Sequence, residues 1–371
     1  MTVLAWLGLV ALFAGALVAW FLYLVWYLRW EARTTRGMAY YGRPLVARRA
    51  IKRRIRTRSA PVLPLVRLLA PSARARTPLP SFEYKGVHGP PLVSSGDVFA
   101  RAERYRPRAE DVFVATQMRC GTTWMQQIVY ETVCHGRGDL SDGGHGHLYA
   151  MSPWIDGINS VSMADAPLVG ERPTRIIKTH LPTRLCPYSP DARYIYVARN
   201  PVSCFASIVD YNRSLLGSLT PPVATYLDWF CGDRMYWLPW PEHVSGWWTW
   251  AKERDNVLFV HFEDLKVDFG GVSARVARFL GCDLTPDEAR RVTEKCSFAY
   301  MQKHEELFEM APPTMFSVRG GRFLAGGKVS RHDDVMPDAR ARILEYCLAG
   351  LTGPARAAAR VYQEQGGMPG R

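Results

Sequence analysis

Four short apolar runs constrain the fold most: "DVFVAT" at 111–116, "RIIKTH" at 175–180, "RYIYVAR" at 193–199 and "NVLFVHFEDL" at 256–265. Each is rich in β-branched or aromatic residues, as parallel strands buried on both faces should be. Helical patterns lie between them: "TTWMQQIVYETVCH", "PVSCFASIVDY" and "WWTWAKER". Strand, helix, strand, helix implies an α/β fold with a central parallel sheet flanked by helices. In such sheets ligands bind at the carboxyl ends of the strands. The first three runs each end in a candidate functional residue, so their motifs converge on one edge.

The first thirty residues follow a different rule. From Val3 to Leu28 there is no charged residue, long enough for a tilted membrane-spanning helix of about 20 residues or more. A cleaved signal peptide is the competing reading, but it wants a positive n-region and a small-residue cleavage site. Here the n-region has no Lys or Arg, and Trp20, Tyr23, Trp26, Tyr27 and Trp30 cluster at the far end like an interfacial belt. The expectation is one retained N-terminal transmembrane helix over 1–30. Arg29, Arg33 and Arg36 follow it, then "RRAIKRRIRTR" at 48–58. The positive-inside rule places this side in the cytoplasm, giving a single-pass membrane protein with a cytoplasmic catalytic domain. The basic run suits anionic lipid headgroups, or it is a solvated linker. With six prolines from Pro44 to Pro80, residues 31–80 read as a basic juxtamembrane linker with room for one short amphipathic helix. Residues 81–371 read as the globular domain.

"TQMRCGTTWMQ" at 116–126 joins the first strand to a helical pattern. Backbone N–H groups at a helix N-terminus attract anions. Gly121 permits a close or left-handed backbone, Thr122 or Thr123 could cap the helix, and Arg119 offers a fork suited to phosphate or sulfate oxygens. The nucleoside-triphosphate motif G-x-x-x-x-G-K-[ST] is absent. An ordinary capped turn would look similar, so the loop needs company. "KTHLP" at 178–182 supplies it, because Lys178 and His180 share one face of a strand. His is the natural general base near neutral pH, and a neighbouring Lys⁺ would keep its imidazole neutral. "VARNPVSCFAS" adds Arg199 at a strand end, Asn200 as a helix cap, Pro201 at the first helical position and Ser207 two turns in. Arg199 and Ser207 suit a second, separate phosphate.

Together these residues resemble the sulfotransferases that use 3′-phosphoadenosine-5′-phosphosulfate (PAPS), from about Pro107 to beyond Lys328. The family's 5′-phosphosulfate loop, P-K-S-G-T-T-W, is similar to Met118-Arg119-Cys120-Gly121-Thr122-Thr123-Trp124. Its K-T-H-L-P, with the catalytic His, is intact, and its Arg and Ser for the 3′-phosphate match Arg199 and Ser207. "WPEHVSGWW" (240–248), "FEDL" (262–265) and "SFAYM" (297–301) resemble W-x-E-H-V-x-x-W-W, Y-E-D-M/L and S-F-x-x-M. Phe262 then stands for the adenine-side Tyr, and Phe298 and Trp124 would pack on adenine. Arg119 stands where the family has Lys and Cys120 where it has Ser. The family's late R-K-G, which grips the 3′-phosphate, aligns with Ala325-Gly326-Gly327, with Arg319 or Arg322 as the nearest substitutes.

The resemblance implies a P-loop-like sulfotransferase fold with PAPS as co-substrate and no metal. It implies transfer of a sulfuryl group to a hydroxyl, with His180 as general base and Lys178 and Arg119 stabilising charge. The acceptor is expected to be a small molecule. Residues 226–250, dense in Trp, Tyr and Phe, suit an apolar acceptor or are equally well core. A membrane anchor favours a lipid-like one. A net charge of +13 suits a phosphate-, sulfate- or lipid-bearing partner. With no nucleic-acid motif, nucleic acid is not an expected partner, and a homodimer is left open. The eight cysteines form no C-x-x-C pair, which argues against structural zinc and for a reduced, cytosolic catalytic part. Two other functions remain in play: a P-loop small-molecule kinase, which would want the missing Walker Lys, and a membrane-tethered, non-catalytic protein that keeps the fold.

Overall fold

The structure, a computed structural model, describes residues 3–74, 79–317, 324, 334–358 and 362. The chain opens with helix α1 (Val3–Thr35), then α2 (Met38–Tyr41), α3 (Leu45–Ser59) and α4 (Leu63–Arg74). An antiparallel hairpin, β1 (Phe82–Tyr84) and β2 (Val87–Gly89), and helix α5 (Gly96–Glu103) follow. Next come β3 (Asp111–Thr116), α6 (Thr122–Val133), α7 (Leu148–Met151), β4 (Arg175–Thr179) and β5 (Arg193–Ala198). After them are α8 (Pro201–Leu216), α9 (Val223–Phe230), α10 (Trp240–Glu253) and β6 (Val257–His261). Helices α11 (Phe262–Val267), α12 (Phe269–Leu280), α13 (Pro286–Lys295), α14 (Phe298–Lys303) and α15 (Pro337–Ala349) complete the described elements.

Strands β3 to β6 form one parallel sheet in the order β4-β3-β5-β6. The central α/β sheet expected from the four runs is therefore present. The fourth run divides: its first half is strand, and Phe262 begins α11. β3 is buried along its whole length, as a strand covered on both faces must be. One face carries Val112, Val114, Ile195 and Val197 against α6 and α12. The other carries Phe113, Ala115, Tyr194 and Tyr196 against Trp154, Trp237 and Trp247. β4 and β5 lie on opposite sides of β3, so the chain changes direction across the sheet. The crevice at the carboxyl ends of β3 and β5 is the ligand position of such folds. Residues 117–121 and 199–200 emerge there.

Residues 31–80 differ from the expected linker. The described part of this stretch is largely helical, and α2 and α3 pack onto the body of the protein. Every third or fourth residue of α3 points inward: Arg48, Ile51, Ile55 and Ser59 are buried, the spacing of one helical face. Buried Arg48 donates to two carbonyls, Glu306 O at 2.6 Å and Gly146 O at 2.7 Å. Lys52 pairs with Glu309, and Arg49 with Glu306 at 2.6 Å. α1 also outruns the expected anchor. Its last turns, with Tyr27, Glu31 and Thr35 buried, belong to the folded body, and Met315 N–H donates to the Glu31 carboxylate at 2.8 Å. Proline composition suggested a linker; the inward-facing side chains make it structure.

Candidate active site

Strand β3 ends at Thr116, and the chain turns through Arg119 (φ 62°) and Gly121 (φ 100°) into α6. Both lie in the left-handed region. At Gly121 there is also no room: a Cβ would stand 2.6 Å from Cδ2 of Phe262. Gly121 itself is the N-cap of α6, and neither Thr caps the helix through its side chain. Thr122 Oγ1 instead meets Thr116 Oγ1 at 2.6 Å. Thr123 Oγ1 is buried beside Tyr149.

A cavity of about 1010 Å³ opens against this loop. Arg119, Gly121, Thr122, Thr123 and Trp124 line it, as do Arg199, Ser207, Phe262 and Phe298. Motifs spread over 180 residues of sequence thus meet around one space. Cys120 is the exception. Its side chain is fully buried among Val202, Phe205 and Trp240, with Sγ 3.7 Å from Cys204 Sγ. It does not line the cavity, so only its backbone is left for a ligand. Gly327, Arg319 and Arg322 lie outside the described residues.

The two anion sites expected to be separate share a residue. Arg119 Nε donates to Ser207 Oγ at 3.3 Å, and its guanidinium lies 4.4 Å from the Tyr211 ring centroid. Arg199 Nη1 donates to Arg119 O at 2.9 Å and sits 4.4 Å from the Phe262 ring. Burial, reinforced by Arg199, pulls the Arg119 guanidinium down to about 10. An anion bound between the two cations would reverse that shift. Asn200 caps α8 as its sequence position suggests, accepting from Val202 N at 3.0 Å and Ser203 N at 3.3 Å, with Pro201 at the first helical position.

Lys178 and His180 do not line the cavity. They lie behind the loop at the end of β4, 0 % and 2 % exposed. His180 Nδ1 is 2.9 Å from Thr116 O. A carbonyl can only accept, so Nδ1 carries the proton and Nε2 keeps its lone pair. Thr116 also places its hydroxyl 3.2 Å from Nδ1, which ties the His to the loop helix through Thr122. The His180 N–H donates to Asp156 at 3.1 Å, and its carbonyl accepts from His243 Nε2 at 2.9 Å. Burial first and Lys178 second hold His180 well below the usual imidazole range. Lys178 Nζ donates to Tyr149 OH at 3.0 Å and stands 3.7 Å from the Trp154 ring centroid. Burial pushes this ammonium down to about 7, opposed by Asp156 and reinforced by Arg119.

Other residues that shape the site carried no motif. Lys266 places Nζ 4.8 Å from the Phe298 ring and 5.1 Å from Trp124. One turn after Phe262 in "FEDLK", it was findable from helical spacing. Trp237 and Trp154 flank His180 at 4.8 and 5.6 Å between centroids. Gln117 pins the Trp237 loop by donating to Tyr236 O and Leu238 O at 3.1 and 2.7 Å.

The parallel sheet, the left-handed loop at a helix N-terminus and the buried Lys–His pair define an α/β protein with a cavity lined by Arg119 and Arg199 at the carboxyl ends of its strands. Residues 109–351 match the family model described as the sulfotransferase domain, and the chain belongs to that family, as its motifs suggested. It is therefore an enzyme of the transferase class. Among its relatives, rabbit (Oryctolagus cuniculus) sulfotransferase 1C2 is 29% identical over 238 residues, covering 62% of this chain and 79% of the relative. The crystal structure of mouse sulfotransferase SULT7A1 complexed with PAP superposes with a TM-score of 0.60 at 20% identity, over 77% of this chain and 99% of the mouse chain. Retinol dehydratase, solved with androsterone and the inactive cofactor PAP, gives a TM-score of 0.56 at 21% identity over 74% and 92% of the two chains. The fold is shared with both.

Proposed function

We propose that the protein transfers the sulfuryl group of PAPS to a hydroxyl of an apolar or lipid-like acceptor, at the cytoplasmic face of a membrane. The cavity carries this reading. One space brings together an anion loop, a second Arg–Ser pair and a cluster of aromatic rings with a cation. A nucleotide with phosphates on both sides of its ribose needs that combination. The Thr123 hydroxyl and the helix N-terminus suit the 5′-phosphosulfate. Arg199 and Ser207 suit the 3′-phosphate, and Trp124, Phe262 and Phe298 suit adenine. The neighbouring mouse structure contains PAP, which agrees with this assignment. Base stacking on an aromatic ring is worth about 1–3 kcal/mol. Phe298→Ala should therefore raise the Kd for adenosine 3′,5′-bisphosphate roughly 5- to 150-fold by calorimetry. An unchanged Kd would remove Phe298 from the adenine site.

The transfer is a single displacement. The acceptor oxygen bonds to sulfur as the bond from sulfur to the 5′-phosphate oxygen breaks. Adenosine 3′,5′-bisphosphate leaves with the electron pair. His180 Nε2 takes the acceptor proton, since its lone pair is kept by the Nδ1–H bond to Thr116 O. Lys178 and Arg119 supply positive charge where negative charge grows. Arg119 brings a planar fork in place of a compact ammonium. Trp154 and Trp237 pack against the His180 ring, so an acceptor that reaches Nε2 would meet apolar surface, which favours an apolar acceptor.

The membrane reading rests on charge distribution. Among the described residues, one helix is long and apolar enough to cross a membrane, and its apolar window is wholly exposed. Residues 29–74 hold 13 Lys and Arg against one Glu, a net +12 of the chain's +13. Arg48, Arg49 and Lys52 of this set are taken up by the folded body; the remaining basic charge beside the span suits anionic headgroups, at roughly 1 kcal/mol per charge near the surface. Arg58 lies 5.4 and 4.4 Å from the Trp26 and Trp30 rings, locking α3 to the base of α1.

The test is label transfer. Full-length protein in detergent is incubated with PAPS carrying sulfur-35 and a membrane lipid extract. A labelled lipid, formed without ATP, is the expected product. Label passed only to a soluble phenol would remove the lipid acceptor and keep the transferase. Dependence on ATP and Mg²⁺ in place of PAPS would make the protein a kinase.

A further inference from the structure

We propose that the juxtamembrane helix α2 is a working part of the active site, with Tyr41 as the positioning residue that holds Tyr149, and through it the ammonium of Lys178. The proposal rests on the sulfotransferase reading above but reaches residues outside the stretch matched by the family model, 109–351.

Tyr41 belongs to a one-turn helix in a strongly basic segment, yet it is fully buried. Its ring lies 4.3 Å from the His147 ring and meets the Tyr149 ring edge-on at 5.3 Å. Tyr149 OH accepts from Lys178 Nζ at 3.0 Å. One side chain therefore separates the juxtamembrane segment from the buried ammonium. The Tyr41 hydroxyl has no hydrogen-bond partner among the described residues. A buried unpaired hydroxyl costs stability, so the ring, not the hydroxyl, is what the site uses.

A Lys stem is flexible and its ammonium has no geometry of its own. Its neighbours decide where Nζ rests, and here two neighbours do so: the face of Trp154 and the hydroxyl of Tyr149. Trp154 is fixed by β4, since Ile155 N donates to Lys178 O at 3.0 Å and Lys178 N to Pro153 O at 2.8 Å. Tyr149 lies off the sheet, its carbonyl accepting from Val161 N at 2.8 Å. It sits on α7, a single turn capped by His147, whose Nδ1 accepts from Tyr149 N at 3.0 Å. Its ring is flanked by Tyr41 and His147, and its hydroxyl lies beside Thr123.

The juxtamembrane helices in turn grip α7 from both sides. Arg48 holds Gly146 O, one residue before His147. Gly37 N–H donates to Asn159 Oδ1 at 3.3 Å, beyond α7. Tyr40 OH donates to Glu309 at 3.0 Å, in the segment whose Met310 reaches Arg119 Nη1. A plain tether would need none of these contacts.

The experiment uses full-length protein in detergent and follows conversion of PAPS to adenosine 3′,5′-bisphosphate, with 4-nitrophenol as acceptor probe and water as the background acceptor. Tyr41→Ala should lower kcat roughly 10- to 100-fold, the scale of a small misplacement of a catalytic group. The Kd for adenosine 3′,5′-bisphosphate should not change, because Lys178 does not line the cavity. Tyr41→Phe keeps the ring and should turn over like wild type. Val62→Ala loosens packing against α1, away from Tyr149, and should lower Tm while leaving kcat alone. The proposal is overturned if folded Tyr41→Ala keeps its kcat, if Tyr41→Phe loses as much as Tyr41→Ala, or if Val62→Ala loses kcat equally. Should Tyr41→Ala fail to fold, Tyr149→Phe decides: its kcat must fall too, and an unchanged value overturns the proposal. A wild type that never converts PAPS sinks the transferase reading first and this proposal with it. An active wild type beside an unaffected Tyr41→Ala sinks this proposal alone.

Discussion

His180→Ala is expected to lower kcat roughly 10²- to 10⁴-fold, the usual contribution of a positioned general base. Affinity for adenosine 3′,5′-bisphosphate should stay as it was, because His180 does not line the cavity. The loss then falls on kcat, as for a group acting only in the transition state. The pH profile gives a second reading. Burial and Lys178 hold His180 well below the ordinary imidazole range. The imidazole is therefore neutral and competent across neutral pH, and kcat should show no acid limb near 6.5. Turnover by His180→Ala at the wild-type rate would remove the base from the mechanism. A limb at the ordinary imidazole value would show a solvated His180, contrary to its packing between Trp154 and Trp237.

Lys178→Met is expected to cost roughly 10²- to 10³-fold in kcat, the scale for removing one preorganised charge-stabilising group. Met keeps most of the stem's volume and its packing on Trp154. Stability should move the other way, since a fully buried ammonium is costly to desolvate. Lys178 titrates at about 7 in the folded chain against an ordinary 10.5. Between those values the unfolded chain binds the additional proton. On this residue's account, stability therefore rises with pH from about 7 to 10.5, and the full penalty is present below 7. The Lys178→Met variant should lack that rise. The difference between its thermal melts and wild type, taken at pH 6.5 and pH 9, checks the sign. A kcat within about threefold of wild type, against the hundredfold expected for such a group, would show that the ammonium only packs.

The parts of the site legible in the sequence are those encoded locally. The strands ending at Thr116, Thr179 and Ala198 announce themselves by composition. Asn200 and Pro201 mark the start of α8 because caps and first-turn prolines act within a few residues. The Lys178–His180 pair was visible from strand alternation. What stayed hidden is set by contacts between distant segments. Tyr149 and Asp156 reach β4 from a stretch without a motif, and only the fold shows that they meet Lys178 and His180. The family-like loop suggested that residue 120 faces a ligand, but its thiol turned toward Cys204 and the apolar cluster below. Ser207 was read as part of a separate phosphate site, and a single long Arg119 side chain joined the two. The segment at 31–80 misled most. Its prolines and charges dominate the composition, while Tyr40, Tyr41, Ile51 and Ile55, which bury it, are few.

On the proposed function, the cavity holds a nucleotide with phosphates at both the 3′ and 5′ positions. Thermal melting of the full-length protein with adenosine 3′,5′-bisphosphate, beside ADP as the isomer lacking a 3′-phosphate, tests it most directly. A ligand at 100 times its Kd that binds only the folded state adds about 2.7 kcal/mol. The bisphosphate should raise Tm in a concentration-dependent way, and ADP at equal concentration should do far less, since nothing would then engage Arg199 and Ser207. No shift at millimolar bisphosphate, an equal shift with ADP, or a shift given only by ATP with Mg²⁺ would contradict the account.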